Sequence, residues 1–293
     1  MACSKRTRKI KSKKQTIHIR VTDSKIIPGE LKNDKKSDFE NRIVIEELGS
    51  YLGEGAHGSV HSAKIHQVGG GIISYAVKIP PVFNDYKKRV KIVNLWYNRI
   101  EEMRKIGIKN VVDYAEVIED KLFLTDLRIY GTVIDFEKNM DLNMVSNFDF
   151  VLEGIAGDMA KIHSNGYILS DNGGTYGFRA WFLLKSKTRE GFIGERVVCD
   201  VGGIETEPPN FKYRGDTSPE NFERLMDEYV KMNIVSLFAI TDFNENLSLN
   251  ICNEYLKSCS NDKIKQIADN VLFTLKKDIY RLKSYYHWAL SET

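Results

Sequence analysis

No stretch of this 293-residue chain approaches the ~18 uninterrupted apolar residues that a membrane-crossing helix needs, and no apolar segment follows the basic N-terminus as a secretory leader would require. An intracellular protein with no membrane span is the expectation. Cysteine is scarce: Cys3, Cys199, Cys252 and Cys259 form no C-x-x-C pair, and the six histidines are too scattered to complete a zinc-ligand spacing. Free thiols in a reducing compartment are expected, not a disulfide framework. Acid is missing from residues 1–20, which hold Lys5, Arg6, Arg8, Lys9, Lys11, Lys13, Lys14 and Arg20. Eight of the 43 basic side chains lie there, leaving 35 against 40 acidic ones for the rest. A mildly acidic body disfavours an extended nucleic-acid groove across it. Nucleic acid, or a nuclear-import receptor, is expected to meet the chain only through this arm, with solvated disorder as the competing reading. The compartment expected is therefore cytoplasmic, and nuclear if the arm is an import signal.

What is present is ordinary for a soluble globular protein: 42% hydrophobic and 28% charged residues, in a length that allows one large domain or two lobes. Residues 1–38 are polar and Lys-rich and read as a flexible basic arm. From "RIVIEELGSYLGEGAHGSVHSAKIHQVGGGIISYAVKIP" onward, short β-branched stretches broken by glycine predict a strand meander, with Gly69 to Gly71 as a hairpin turn. A helix is predicted over "NDYKKRVKIVNLWYNRIEEMRK", with apolar residues at Tyr86, Val90, Val93, Tyr97 and Ile100. Strands return in "NVVDYAEVIEDKLFLTDLRIYGTVID", turning near Glu119 and Asp120. Helices are expected in 148–166, 221–243 and 262–290, and "RAWFLLKSKTREGF" reads as two strands joined by an extended basic turn. This order predicts an α+β protein: a sheet lobe with one helix over 39–136, then a mainly helical lobe over 137–293.

Within the meander, Gly53, Gly55, Gly58 and Val60 fit G-x-G-x-x-G-x-V, spanning Glu54, Ala56 and His57, and Lys78 follows in "YAVKIP" with Ala76 two residues before it. A hairpin tip poor in side chains lets backbone N–H groups approach phosphate oxygens, and an ammonium on the next strand neutralises them. A dinucleotide-binding fingerprint would have its glycines open a helix, whereas "SVHSAKI" continues as strand.

Further along, "IHSNGYILSDN" resembles the entry to the catalytic loop of eukaryotic-type protein kinases, "VVCDVGG" their metal-binding D-F-G segment, "SPE" (Ser218, Pro219, Glu220) their A-P-E, and "MNIVSLFAI" the buried helix that follows. The resemblance covers residues 43 to about 240 in the family's order. It implies a bilobal kinase-like fold in which Asp171 is the catalytic aspartate, Lys78 binds ATP phosphates, Asp200 binds Mg2+, and the glycine-loop residues with Val60 and Ala76 line the nucleotide. The partner of Lys78 is expected to be Glu101, one turn past the family's usual position near Tyr97 and Asn98. The function implied is transfer of the γ-phosphoryl group to a protein hydroxyl, with Ser/Thr favoured.

Departures accompany the match. Leu169 and Ser170 replace the histidine and arginine of H-R-D, Tyr176 replaces the magnesium-binding asparagine, Gly173 and Gly174 stand where a lysine is usual, and Asn233 replaces an aspartate. Such a degenerate pattern is similar to divergent kinases of large DNA viruses or bacterial effectors. It supports an alternative: a pseudokinase that binds nucleotide or a partner kinase. His163 is expected to be structural.

Overall fold

The computed structural model describes residues 16–18, 45–55, 58–66, 72–81, 85–108, 110–112, 115–125, 132–134, 146–169, 181–188, 191–198, 201–206 and 218–291. Strands dominate the first part: β1 (Thr16–His18), β2 (Ile45–Gly55), β3 (Gly58–His66), β4 (Ile72–Ile79), β5 (Ala115–Ile118) and β6 (Lys121–Thr125), with helix α1 (Tyr86–Lys105) between β4 and β5. They form an antiparallel sheet in the order β1-β2-β3-β4-β6-β5. β1 falls inside the expected basic arm, so three of that arm's residues pair with β2 as an edge strand. Glu119, at φ 55°, and Asp120 make the tight turn from β5 to β6 where the sequence placed it.

Then come β7 (Thr132–Ile134), α2 (Phe148–Ser164), β8 (Ile168–Leu169), β9 (Trp181–Thr188), β10 (Gly191–Val198), β11 (Ile204–Glu205), α3 (Pro219–Ile240), α4 (Glu245–Ser258), α5 (Asp262–Lys277) and α6 (Ile279–Ser291). The protein is α+β, strands preceding most helices. None of the helices among the described residues is long and apolar enough to cross a membrane.

Local chemistry sets these boundaries. Asp85 caps α1, its carboxylate accepting from the backbone N–H of Lys87 at 2.9 Å and Lys88 at 3.3 Å. Ser218 caps α3 by accepting from the Asn221 N–H at 3.2 Å, and Pro219 follows at the first helical position, where its missing N–H costs nothing.

Four expectations need correction. The stripe of α1 is rotated: Val93, Trp96, Ile100 and Met103 are buried, whereas Tyr86 is exposed. The large Trp96 ring buries more apolar surface than a tyrosine would, and it decides which face turns inward. The single helix over 262–290 is broken at Asp278, which adopts an extended backbone (φ −165°) and accepts from the N–H groups of Tyr280 and Arg281 at 3.0 and 3.3 Å. A short carboxylate competing for local N–H groups restarts the helix there. Helix α4 was not expected, because its asparagines and serines are weak helix formers. The two strands expected around "RAWFLLKSKTREGF" are β9 and β10, but the turn is not extended: Lys185 and Lys187 lie inside β9, paired with Gly194 and Phe192.

One continuous buried cluster links α1, β6, α2, β8 and α3 to α6. Polar chemistry also crosses it. Arg196 on β10 lies over Gly154 of α2 and donates from Nε to Asp158 Oδ2 at 2.7 Å, with the carboxylate buried. An added Cβ at Gly154 would run into this guanidinium. Gly154→Ala should gain about 1 kcal/mol of helix propensity, but displacing the partner of a buried carboxylate costs about 3–5 kcal/mol. A net loss of about 3 kcal/mol in urea unfolding is expected.

Candidate functional site

The β2–β3 hairpin pairs Gly53 with Val60, Glu54 with Ser59 and Gly55 with Gly58. Ala56 and His57, at its tip, and the Glu54 side chain lie outside the described residues. Gly58 has φ 123°, and a Cβ there would run into the backbone oxygen of Ile79, so glycine lets the hairpin tip rest on the end of β4. At Gly53 an added Cβ would meet nothing within 4 Å among the described residues.

Register carries this geometry inward. Gly53, Val60, Lys78 and Leu122 are successive partners across β2, β3, β4 and β6. Paired residues project to the same face, and so does Ala76, two residues from Lys78. The structure thus brings Gly53, Val60, Ala76 and Lys78 together on one side of the sheet, beside the hairpin tip.

Helix α1 packs on that face against Leu122 and Leu124. Lys78 is 7% exposed, and its Nζ sits 4.6 Å from the centroid of the Trp96 ring, itself 3% exposed. Glu101 does not take this place: its carboxylate pairs with Arg104 of its own helix. The reason is helical phase, since five residues beyond Trp96 lie about 140° around the axis at 3.6 residues per turn. Arg104 also donates to the Val112 carbonyl.

α1 is fixed at other points as well. Arg89 Nε donates to Asp120 Oδ2 at 2.6 Å in the β5–β6 turn. Burial alone would raise the Asp120 pKa, but hydrogen bonds from Arg89 and Lys121 hold it below the usual carboxylate value. Farther along, Arg99 bonds Glu102 at 2.8 Å and lies 4.6 Å over the Tyr167 ring, just before β8.

Beneath β8 lies a buried polar network. The Leu169 N–H donates to Asn233 Oδ1 at 3.1 Å, and Asn233 Nδ2 donates back to the Leu169 carbonyl at 3.1 Å. Asn233 Oδ1 is also 3.0 Å from His163 Nε2, while His163 Nδ1 is 2.5 Å from the Tyr255 hydroxyl. Complete burial lowers the His163 pKa to about 4, against an opposing contribution from the Asn233 hydrogen bond. The ring is therefore neutral near pH 7: Nε2–H donates to Asn233 and Nδ1 accepts from Tyr255. The structural role expected of His163 is what its surroundings show.

Asp171 and Asp200 lie outside the described residues, as do Ser170, Asn172 and Tyr176. The chain is described up to Leu169 before Asp171, and to Val198 before and from Val201 after Asp200. Leu169, two residues before Asp171, pairs directly with Ile204, four residues after Asp200. Val198, two before Asp200, donates its N–H to the Asn110 carbonyl at 2.7 Å and accepts from Val112 N–H at 3.2 Å. Among the described residues no group of three or more His, Cys, Asp and Glu side chains is placed to hold a metal. Cys252 is a free, buried thiol pushed up to about 12 by burial, and Cys259 is also free.

Sequence reasoning passed over two contributors. They are Trp96, whose ring meets Lys78, and Tyr255, which sits on the unexpected helix α4. Ser248, Ile251, Cys252 and Tyr255, spaced i, i+3, i+4, i+7, carry the signal that reveals that helix. Comparison of the sequence with protein-family models and with curated proteins gives no match.

Proposed function

We propose that this chain is a divergent member of the protein-kinase fold, a bilobal ATP-dependent kinase that transfers the γ-phosphoryl group to a serine or threonine hydroxyl of a protein. The observation that carries this reading is the placement of Lys78: a buried ammonium on a central strand, in register with a glycine hairpin and covered by helix α1, inserted between β4 and β5. The sheet order, with α1 between β4 and β5 and the β8–β11 pair drawing together the segments next to Asp171 and Asp200, also supports it.

The residues present fit a polyphosphate. Gly58 lets the hairpin tip lie against the end of β4, and among the described residues an added Cβ at Gly53 would meet nothing within 4 Å, so the backbone there is open to a phosphate. Bound ATP would supply the transferable phosphoryl group, and magnesium would offset its charge. Lys78 would hold the phosphates, with the glycine-loop backbone donating to their oxygens. From the sequence resemblance, Asp171 would orient the acceptor hydroxyl and take its proton, and Asp200 would hold magnesium.

A second reading, a nucleotide-binding pseudokinase that engages a partner kinase, is favoured by one observation: Glu101 is committed to Arg104, away from Lys78. Two measurements separate these readings. ATP with magnesium at ~100 times its dissociation constant should stabilise the chain by roughly 2.7 kcal/mol in thermal unfolding. Radiolabelled autophosphorylation should fall at least ~100-fold in Lys78→Met and Asp200→Asn. Stabilisation without labelling selects the binding module, and labelling that survives both substitutions overturns the kinase reading.

A further inference from the structure

We propose that Lys231 and Arg281, set beside the Tyr285 ring where α6 packs on α3, form a docking site for a phosphorylated side chain of a partner protein. The inference uses none of the residues of the nucleotide-site reading and goes beyond it to a second ligand. On α6, Leu282 and Tyr286 turn into the core, and Arg281, Tyr285 and Trp288 form the adjacent stripe at i, i+4 and i+7. Arg281 and Trp288 are exposed. Tyr285 lies partly buried between them, its hydroxyl donating to the Glu228 carbonyl of α3 at 3.5 Å. Half-buried Lys231, one turn along α3 from Glu228, lays its ammonium over the Tyr285 ring, 3.8 Å from the centroid.

Charge at this spot is unbalanced. The Glu228 carboxylate is bonded to Arg224 at 2.7 Å, and among the described residues neither Lys231 nor Arg281 has a carboxylate within ion-pairing distance. Burial and the nearby Arg281 charge both lower the Lys231 pKa, and the pull of Glu228 does not offset them. The Tyr285 ring attracts Lys231 without cancelling its charge, so an anion is what relieves the two cations. A phosphomonoester matches them better than a carboxylate. It brings a charge of about −1.5 to −2 at pH 7 and three acceptor oxygens, enough for the Lys231 ammonium and a two-pronged contact from the Arg281 guanidinium. A long polyanion fits poorly, because carboxylates flank the site. Glu223 and Asp227, which both pair with Lys263, continue α3 away from Lys231, and Asp278 immediately precedes α6. They would repel the successive phosphates of a nucleic acid, whereas a single phosphate meets only the cationic spot.

The test is fluorescence anisotropy with dye-labelled Gly-Ser peptides carrying one phosphotyrosine or one phosphoserine, set against their unphosphorylated forms. Inorganic phosphate and a single-stranded oligodeoxynucleotide serve as competitors. At least one phosphopeptide should bind the full chain ~tenfold or more tightly than its plain form, and Arg281→Gln, a change at an exposed residue, should remove most of that preference. Lys231→Gln should do the same, and Lys263→Gln, outside the site, should leave the preference unaltered. Equal binding of phosphorylated and plain peptides, or a preference that survives both Arg281→Gln and Lys231→Gln, would overturn the inference. Displacement of the phosphopeptide by inorganic phosphate or by the oligonucleotide at the peptide's own concentration would also overturn it, assigning the site to free phosphate or to nucleic acid.

Discussion

Replacing Asn233 by leucine is expected to lower the free energy of unfolding by about 4 kcal/mol, a large fraction of the ~5–15 kcal/mol typical of a domain. The side chains are similar in volume, so cavity formation is not the cause. Leucine offers neither acceptor nor donor to the Leu169 N–H, the Leu169 carbonyl and His163 Nε2–H, which Asn233 bonds at 3.0–3.1 Å in a buried setting. Each group stripped of its partner costs about 1–3 kcal/mol. Urea unfolding at pH 7 measures the loss, and amide exchange at Leu169 should accelerate in step. Asn233→Asp separates the parts of the effect. A carboxylate still accepts from the Leu169 N–H and from His163, but it cannot donate to the Leu169 carbonyl, and its charge should raise the His163 pKa from about 4. A leucine variant within 1 kcal/mol of wild type would show that the network does not hold β8 to α3.

The second large effect is a loss of stability on mild acidification. Unfolded histidine titrates near 6.5, whereas buried His163 titrates near 4. Above pH 6.5 both states are neutral there and stability is flat with respect to this group. Between pH 6.5 and pH 4 the unfolded chain binds a proton that the folded chain refuses. Stability then falls by about 1.4 kcal/mol per pH unit, on the order of 3 kcal/mol in all. Below pH 4 the folded ring protonates too, and this contribution stops changing. Asp120 acts in a separate window: its folded pKa lies below 3.8, so its stabilisation is lost only as the pH falls through 3.8 and lower. Urea midpoints of the wild-type chain at pH 7, 6, 5 and 4 should trace the His163 slope. His163→Gln, whose amide can still donate to Asn233, should be less stable at pH 7 but flatter over that range. An unchanged slope in the variant would assign the acid sensitivity to other groups.

Much of the sheet was legible because its signals are local. The Glu119–Asp120 turn, the β-branched strand of Lys78 and the glycine hairpin each announce themselves within a few residues, and pairing alternation then puts Val60, Ala76 and Lys78 on one face. The general sequence of strands before helices followed from the same patterning. Helix phase was harder. Tyr86 and Trp96 both count as apolar in a periodic pattern, and only packing against Leu122 and Leu124 decides that Trp96 turns inward and Glu101 outward. Contacts that close over long separations were the least legible: nothing near His163 announces that Tyr255, on a helix rich in asparagine and serine, supplies its second hydrogen bond. Of the expected site, Gly53, Val60, Ala76 and Lys78 come together, Gly58 closes the hairpin beside them, and Glu101 goes to Arg104.

The most direct trial of a phosphate-directed Lys78 is covalent labelling with an acyl phosphate of ATP, which transfers its acyl group to an amine near the bound phosphates. After digestion, mass spectrometry should find the label on Lys78, and excess ATP with magnesium should abolish it. Label spread over surface lysines without competition by ATP, or an unlabelled Lys78 in a folded chain, would contradict a nucleotide site beneath this hairpin.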